Sequence, residues 1–248
     1  MSEHCDFSVK FWGVRGSISI SDPNSVRYGG NTSCLEIRCD DRLLIFDAGS
    51  GLRYLGNDLV ERGDVIDADI FLTHTHYDHI CGIPFFKPFF NPQNRFRLQA
   101  GHLLPEKNLR GVLCDLMTSP LFPVPIEIFQ SKIEFRDFTA GDALNAGADV
   151  VIRTTPLNHP DNATGYRIEF ADKSICYLTD TEHLVGELDQ NILRLIDGAQ
   201  LWSQPAAAGW NSYVDVLCIG DTVWVGQQPK RGSPNGQHPH GQQDFTRA

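Results

Sequence analysis

Apolar and polar side chains alternate along Phe7-Ser8-Val9-Lys10-Phe11-Trp12, the two-residue period of a strand with one wet face. Cys34-Leu35-Glu36-Ile37-Arg38-Cys39 alternates in the same way. Leu43-Leu44-Ile45-Phe46 is apolar on both faces, as an inner strand requires, and Asp69-Ile70-Phe71-Leu72 reads as a second short buried strand. Between them the period changes. Leu52, Leu55, Leu59 and Val60 fall on one stripe of a helix over 52–62, which Gly63 would end. Turn chemistry separates these elements: Gly13-Val14-Arg15-Gly16-Ser17, Tyr28-Gly29-Gly30-Asn31, Asp40-Asp41 and Asp47-Ala48-Gly49-Ser50-Gly51.

Beyond residue 84 the pattern loosens. Residues 84–105 are rich in Phe, Pro and Asn and predict an irregular insertion. Leu109, Val112, Leu113 and Leu116 give helical spacing over 105–117, and Phe122-Pro123-Val124-Pro125 must extend or turn, since proline forbids helix there. Strands are predicted at 132–138, 150–155, 165–170 and 174–178, and a helix near 188–196. Strands alternating with helices imply an α/β fold with its sheets inside. Val214–Ile219 and Thr222–Val225, joined by Gly220-Asp221, read as a hairpin. After Leu201 charge thins out: residues 201–248 hold six of the chain's charged side chains, while Gln, Gly, Pro and Trp rise. The last twenty residues read as a disordered tail.

Composition narrows the class. The chain has 248 residues, 41% of them hydrophobic and 21% charged, enough to bury a substantial core. Its formal net charge of -10 argues against non-specific binding to nucleic acid or an anionic membrane. It leaves anionic small substrates open, because bound divalent cations reverse the field inside a pocket. The seven cysteines are scattered without a Cys-x-x-Cys pair and read as reduced, buried small hydrophobes. The first ten residues have no apolar core of a signal peptide, and no stretch approaches a membrane span. A cytoplasmic protein is therefore expected.

Chemistry is concentrated in His74-Thr75-His76-Tyr77-Asp78-His79. Neutral imidazole and carboxylate are the ligands that borderline divalent metals prefer. The run follows an apolar strand, so it sits on a loop at a strand's C-terminal edge, where α/β sheets place their sites. His74 and His76 alternate and can clasp one metal, while Asp78 and His79 can turn toward a second. His159, in Leu157-Asn158-His159-Pro160, and Asp180, in Tyr177-Leu178-Thr179-Asp180, each follow a predicted strand. His4 and His102 read as surface residues.

The pattern His-x-His-x-Asp-His resembles the signature of the metallo-β-lactamase superfamily. Phe11-Trp12-Gly13-Val14-Arg15-Gly16-Ser17, Tyr28-Gly29-Gly30-Asn31-Thr32-Ser33, Phe46-Asp47-Ala48-Gly49 and Tyr177-Leu178-Thr179-Asp180-Thr181-Glu182-His183 are similar to a narrower branch. That branch comprises phosphoribosyl cyclic phosphodiesterase, class II cyclic-nucleotide phosphodiesterase and ribonuclease Z-like hydrolases. The resemblance covers roughly residues 7–200. It implies a four-layer αββα fold with residues 1–200 as the hydrolase domain and 201–248 as an atypical C-terminal segment. It also implies two divalent metal ions, zinc first, with manganese or iron fitting the same ligands. By resemblance His74, His76 and His159 bind the first metal, Asp78 and His79 the second, and Asp180 bridges them. Asp47 would steady a ligand histidine through its ring N–H. Asp78, Asp180 and His183 are the candidate catalytic residues, and Arg15 and Asn31 the candidate substrate loop.

The implied reaction is hydrolysis of a small anionic phosphodiester, a cyclic phosphate or nucleotide, through a metal-bound hydroxide. A histidine would protonate the leaving alkoxide. No membrane partner is expected, the acidic charge argues against nucleic acid, and a homodimer is compatible with the reading. Antibiotic-hydrolysing relatives are secreted, and no export signal is read here. The family carries a further histidine near its C-terminus that completes the second metal site, and here the late histidines are His238 and His240, with no strand before them. Either one of these folds back as that ligand, or the segment is altered by a frameshift or truncation near residue 201, with weak second-site occupancy. A non-catalytic sensor or damaged copy of the fold, and a thioester or lactone hydrolase, are the competing expectations.

Overall fold

A computed structural model describes residues 6–25, 28–147, 149–182 and 189–196, and the backbone of 213–219, 222–227 and 246–247. The chain divides into two compact units, residues 1–139 and 140–248.

The first unit is built on a six-stranded sheet: β1 (Phe7–Gly13), β2 (Cys34–Cys39), β3 (Arg42–Phe46), β4 (Asp67–Leu72), β5 (Arg95–Ala100) and β6 (Lys132–Asp137), in that spatial order. β1, β2 and β3 run antiparallel, and β3 to β6 are parallel. The parallel strands need crossovers, supplied by α1 (Gly51–Arg62), by α2 (Tyr77–Ile80) with two 3-10 turns, and by α3 (Leu109–Leu116). The helical stripe of α1 buries Leu52, Leu55 and Leu59 against Leu43, Ile45, Ala68 and Ile70 of the sheet and Phe86 and Phe89 of the turns. Each such side chain contributes about 1.5–3 kcal/mol of transfer free energy. Gly63 closes α1 in the left-handed region at φ 80°, which a residue without Cβ adopts freely. The other sheet face is also apolar, with Phe46 stacked on Phe71 at 5.1 Å between ring centroids.

The second unit is an antiparallel sheet. Its strands are β7 (Ala143–Asn145), β8 (Val151–Leu157), β9 (Ala163–Phe170), β10 (Lys173–Glu182), β11 (Tyr213–Ile219), β12 (Thr222–Gln227) and β13 (Thr246–Arg247), each beside the next. Ala171 and Asp172, both at positive φ, form the two-residue turn between β9 and β10. α4 (Gln190–Leu195) is capped by Asp189, whose carboxylate accepts from the Asn191 and Ile192 amides. Its Ile192 and Leu195, with Ile196, pack on Leu157, Ala163, Cys176 and Leu178.

Several expectations change. Residues 95–100 are a strand, not part of an irregular insertion: Phe96, Leu98 and Ala100 enter the core while Arg97 and Gln99 bind Asp69. α3 begins at Leu109 because Asn108 caps it, accepting from the Gly111 amide at 2.8 Å. β7 has no counterpart in the sequence reading. β10 continues past Leu178 to Glu182. The expected hairpin pairs Val214 with Gln227 and Ile219 with Thr222. Thr246 and Arg247 pair with β12, although the sequence placed them in a disordered tail, and residues 228–245 lie outside the described residues. Among the described residues no cysteine forms a disulfide, and no helix is long and apolar enough to cross a membrane.

Candidate metal centre

β4 delivers the histidine run at its C-terminal end. Thr73, His74 and His79 are buried, Asp78 nearly so, and Tyr77 faces solvent. His76 is extended and precedes α2, with the His79 amide donating to the His76 carbonyl at 3.0 Å. The rings of His74 and His76 stand edge-on with centroids 4.5 Å apart, and those of His74 and His79 are 4.1 Å apart. Within each of these two pairs, ligand-capable nitrogens come within 4.8 Å of one another.

Asp47 organises this cluster from the end of β3. Its backbone is left-handed, at φ 59°, a conformation costly for a residue with a Cβ. Its carboxylate, fully buried, accepts from the Thr73 amide at 2.8 Å and the Thr73 hydroxyl at 2.9 Å. The other oxygen lies 2.9 Å from His79 Nδ1. A carboxylate can only accept, so His79 carries its proton on Nδ1 and keeps the lone pair on Nε2. The Thr73 hydroxyl proton is committed to Asp47, so at 3.1 Å its oxygen accepts from His74 Nδ1. His74 too then presents Nε2 as a lone pair. Imidazoles with their Nδ1 protons tied back and Nε2 unprotonated form a donor set that fits a divalent metal.

Asp78 is held from another side. The Ser17 amide donates to its carboxylate at 2.6 Å, from a loop whose Ser17 is at φ 67°. That loop is anchored where the Val14 and Arg15 amides donate to the Asn31 carbonyl, and Arg15 bridges to Thr32. The Asn31 side chain accepts from the Ser50 hydroxyl at 3.2 Å, so it supports the loop. The backbone around α2 is clamped without room for a Cβ: one added at Gly82 would lie 2.1 Å from the Gly49 carbonyl oxygen, and one at Gly49 2.3 Å from that of Asp78.

In residues 140–248 the candidate ligands sit at one end of the sheet. His159 follows β8, and its neighbour Asn158 exchanges hydrogen bonds with Glu182 of β10, at 2.7 and 2.9 Å. Asp180 lies within β10 at φ 55°, where the pairing register with β11 shifts between Leu178 and Thr181. The bulge breaks the alternation of the strand, and the Thr179 hydroxyl donates to the Asp180 carboxylate at 2.9 Å. His4, His183, His238 and His240 lie outside the described residues.

One histidine differs from the sequence expectation. His102, expected on the surface, is buried at 8% exposure, on the loop after β5. Its Nε2 lies 3.1 Å from the Thr75 hydroxyl, within the histidine run. Burial, with His76 adding a smaller electrostatic effect, pushes its pKa down to about 4, so the ring is neutral near pH 7. The available signal was Ala100-Gly101-His102 at the end of an alternating strand parallel to β4, the edge on which the run itself sits.

Residues 42–214 match the family described as a beta-lactamase superfamily domain. A ribonuclease Z of Haloarcula marismortui is 28% identical over 170 residues, covering 66% of this chain and 48% of that protein. The chain thus spans about half the length of this relative. Human tRNase Z, short form, is similar in structure with a TM-score of 0.53 at 18% identity, covering 77% of this chain and 74% of that one. The metallo-β-lactamase-fold protein YhfI of Bacillus subtilis gives 0.51 at 20% identity, covering 71% and 63%. At these identities the two structures speak for the fold alone, and that fold is the one expected from the sequence.

Proposed function

Because the chain belongs to the β-lactamase superfamily and carries the metallo-β-lactamase fold, we propose that it is a metal-dependent phosphodiesterase acting on a small cyclic phosphate or nucleotide. The observation that carries this reading is the buried imidazole cluster with its tautomers set by Asp47 and Thr73. In this proposal His74, His76 and His159 would be ligands of one divalent ion, Asp78 and His79 of a second, and Asp180 of both. Zinc, manganese and iron all suit that donor set. Such ions would polarise a phosphoryl group and lower the pKa of water toward about 7.

The chain's own residues supply the rest. Asp47 fixes His79, and the Ser17 amide fixes Asp78, so neither ligand needs to reorganise. Arg15, two residues before Ser17 on the same loop, offers a guanidinium to a non-bridging phosphate oxygen. His183 is the proposed proton donor to the leaving oxygen. The proposal takes residues 1–200 as the hydrolase domain, working in the cytoplasm, alone or as a homodimer.

The similarity to ribonuclease Z favours a second reading, cleavage of RNA. A net charge of -10 weighs against it, since a nucleic-acid backbone is held mainly by lysine and arginine. One purified sample tests both. Metal content by elemental mass spectrometry is measured beside hydrolysis of a bis-phosphodiester, a cyclic nucleotide and a structured RNA. The expected result is about two ions per chain with turnover of the small diesters. Turnover of RNA alone would establish the second reading, and metal without turnover of any substrate would leave a non-catalytic copy of the fold.

A further inference from the structure

We infer that His102 is a positioning residue for the metal-binding run, acting through Thr75. This rests on the metal-centre reading above and adds to it a residue outside the His-x-His-x-Asp-His pattern. Thr75 is the residue between His74 and His76, so its orientation sets the backbone from which both rings project. Its hydroxyl lies 3.1 Å from His102 Nε2. His102 is in turn fixed by the sheet: Ala100, two residues before it, pairs with Leu72 at the end of β4, and both strands end in the apolar core. The tie therefore runs from the loop after one parallel strand to the loop after its neighbour.

The cost of this arrangement points to its purpose. A buried imidazole is unfavourable unless its nitrogens are hydrogen-bonded. Thr75 gives His102 its side-chain partner, and His102 Nδ1, buried as well, has none among the described residues. A side chain serving only to fill this space would be apolar. An imidazole here is explained by the single bond it makes to the ligand loop. Asp47 holds His79 and, through Thr73, His74. The His102–Thr75 tie adds a restraint at the residue between His74 and His76.

The test is zinc affinity of the full chain by competition with a chromophoric chelator, with the visible spectrum of the cobalt-substituted protein recorded alongside. Thr75→Val keeps shape and removes the hydroxyl; His102→Leu removes the ring nitrogens. Each is expected to bind zinc about 10–100-fold more weakly and to alter the cobalt spectrum. The double variant should be no weaker than either single one, because both remove the same bond. Thr75→Ser and His102→Gln, which can remake it, should recover most of the affinity. If His102→Leu does not fold, Thr75→Val alone decides. Wild-type affinity and spectrum in Thr75→Val would overturn the inference while leaving the metal centre intact. A wild-type chain that binds no zinc would overturn both.

Discussion

Asp47 shows how much of the site depends on one carboxylate. It accepts from the amide and hydroxyl of Thr73 and from His79, and it reaches His74 through the Thr73 hydroxyl. Replacing it by alanine would leave the Thr73 amide and His79 Nδ1 without their acceptor in a fully buried space, at about 1–3 kcal/mol for each unsatisfied group. Asp47→Ala is therefore expected to lower both the thermal midpoint and the affinity for zinc. Asp47→Asn should keep most of the stability but lose about 10–100-fold in metal affinity, because a neutral amide no longer raises the basicity of the imidazole. Equal losses of affinity and stability in both variants, read by calorimetry and chelator competition, would show that Asp47 is only a packing group. At this scale the sequence was unequally informative. A dense histidine run is visible by spacing alone. The left-handed φ of Asp47, the bulge at Asp180 and the burial of His102 depend on pairing and packing that form only in the fold.

At the scale of elements, the strands that feed the run were legible because they are apolar on both faces or strictly alternating. β5 was missed although Arg95-Phe96-Arg97-Leu98-Gln99-Ala100 alternates, because the Phe-, Pro- and Asn-rich segment before it suggested a loop. Arg95 faces solvent, but half-buried Arg97 and buried Gln99 both donate to Asp69 of β4, which is 2% exposed, so part of the polar face of this strand serves that carboxylate. The short helix α2 was equally hidden. Its four residues have no periodicity to read, and it is held in place by contact. The Gly82 amide donates to the Ala48 carbonyl, and the Ala48 amide to the His79 carbonyl, both at 2.8 Å. Gly82→Ala would set a methyl against the Gly49 carbonyl oxygen, a backbone atom that cannot step aside alone. The turn after Asp47 and the helix bearing Asp78 and His79 must then separate. The expected outcome is a destabilisation of about 1–3 kcal/mol, with zinc affinity falling more than the thermal midpoint implies. A variant with wild-type affinity would show that α2 can move without disturbing its ligands.

For the whole molecule, the proposed metal centre would link metal binding to folding. The ligand set brings imidazoles and carboxylates together in an acidic chain of net charge -10, and bound divalent ions would relieve the repulsion among the carboxylates. A ligand that binds only the folded state stabilises it by RT ln(1 + [L]/Kd), about 2.7 kcal/mol at a free concentration of 100 Kd. Stripping the protein with a chelator at neutral pH should therefore lower its thermal midpoint by several degrees, and added zinc should restore it. The size of this increment should depend on pH with a definite sign. Each ligand imidazole must be unprotonated at the coordinating nitrogen, so protons compete with metal as the pH falls. The gap between metal-loaded and stripped midpoints should thus be widest above neutrality and narrow as the solution is acidified. Scanning calorimetry of both forms at each pH checks this. A gap that persists unchanged to pH 5 would mean the stabilising ion is held by carboxylates, and the imidazoles of the run would not be its ligands.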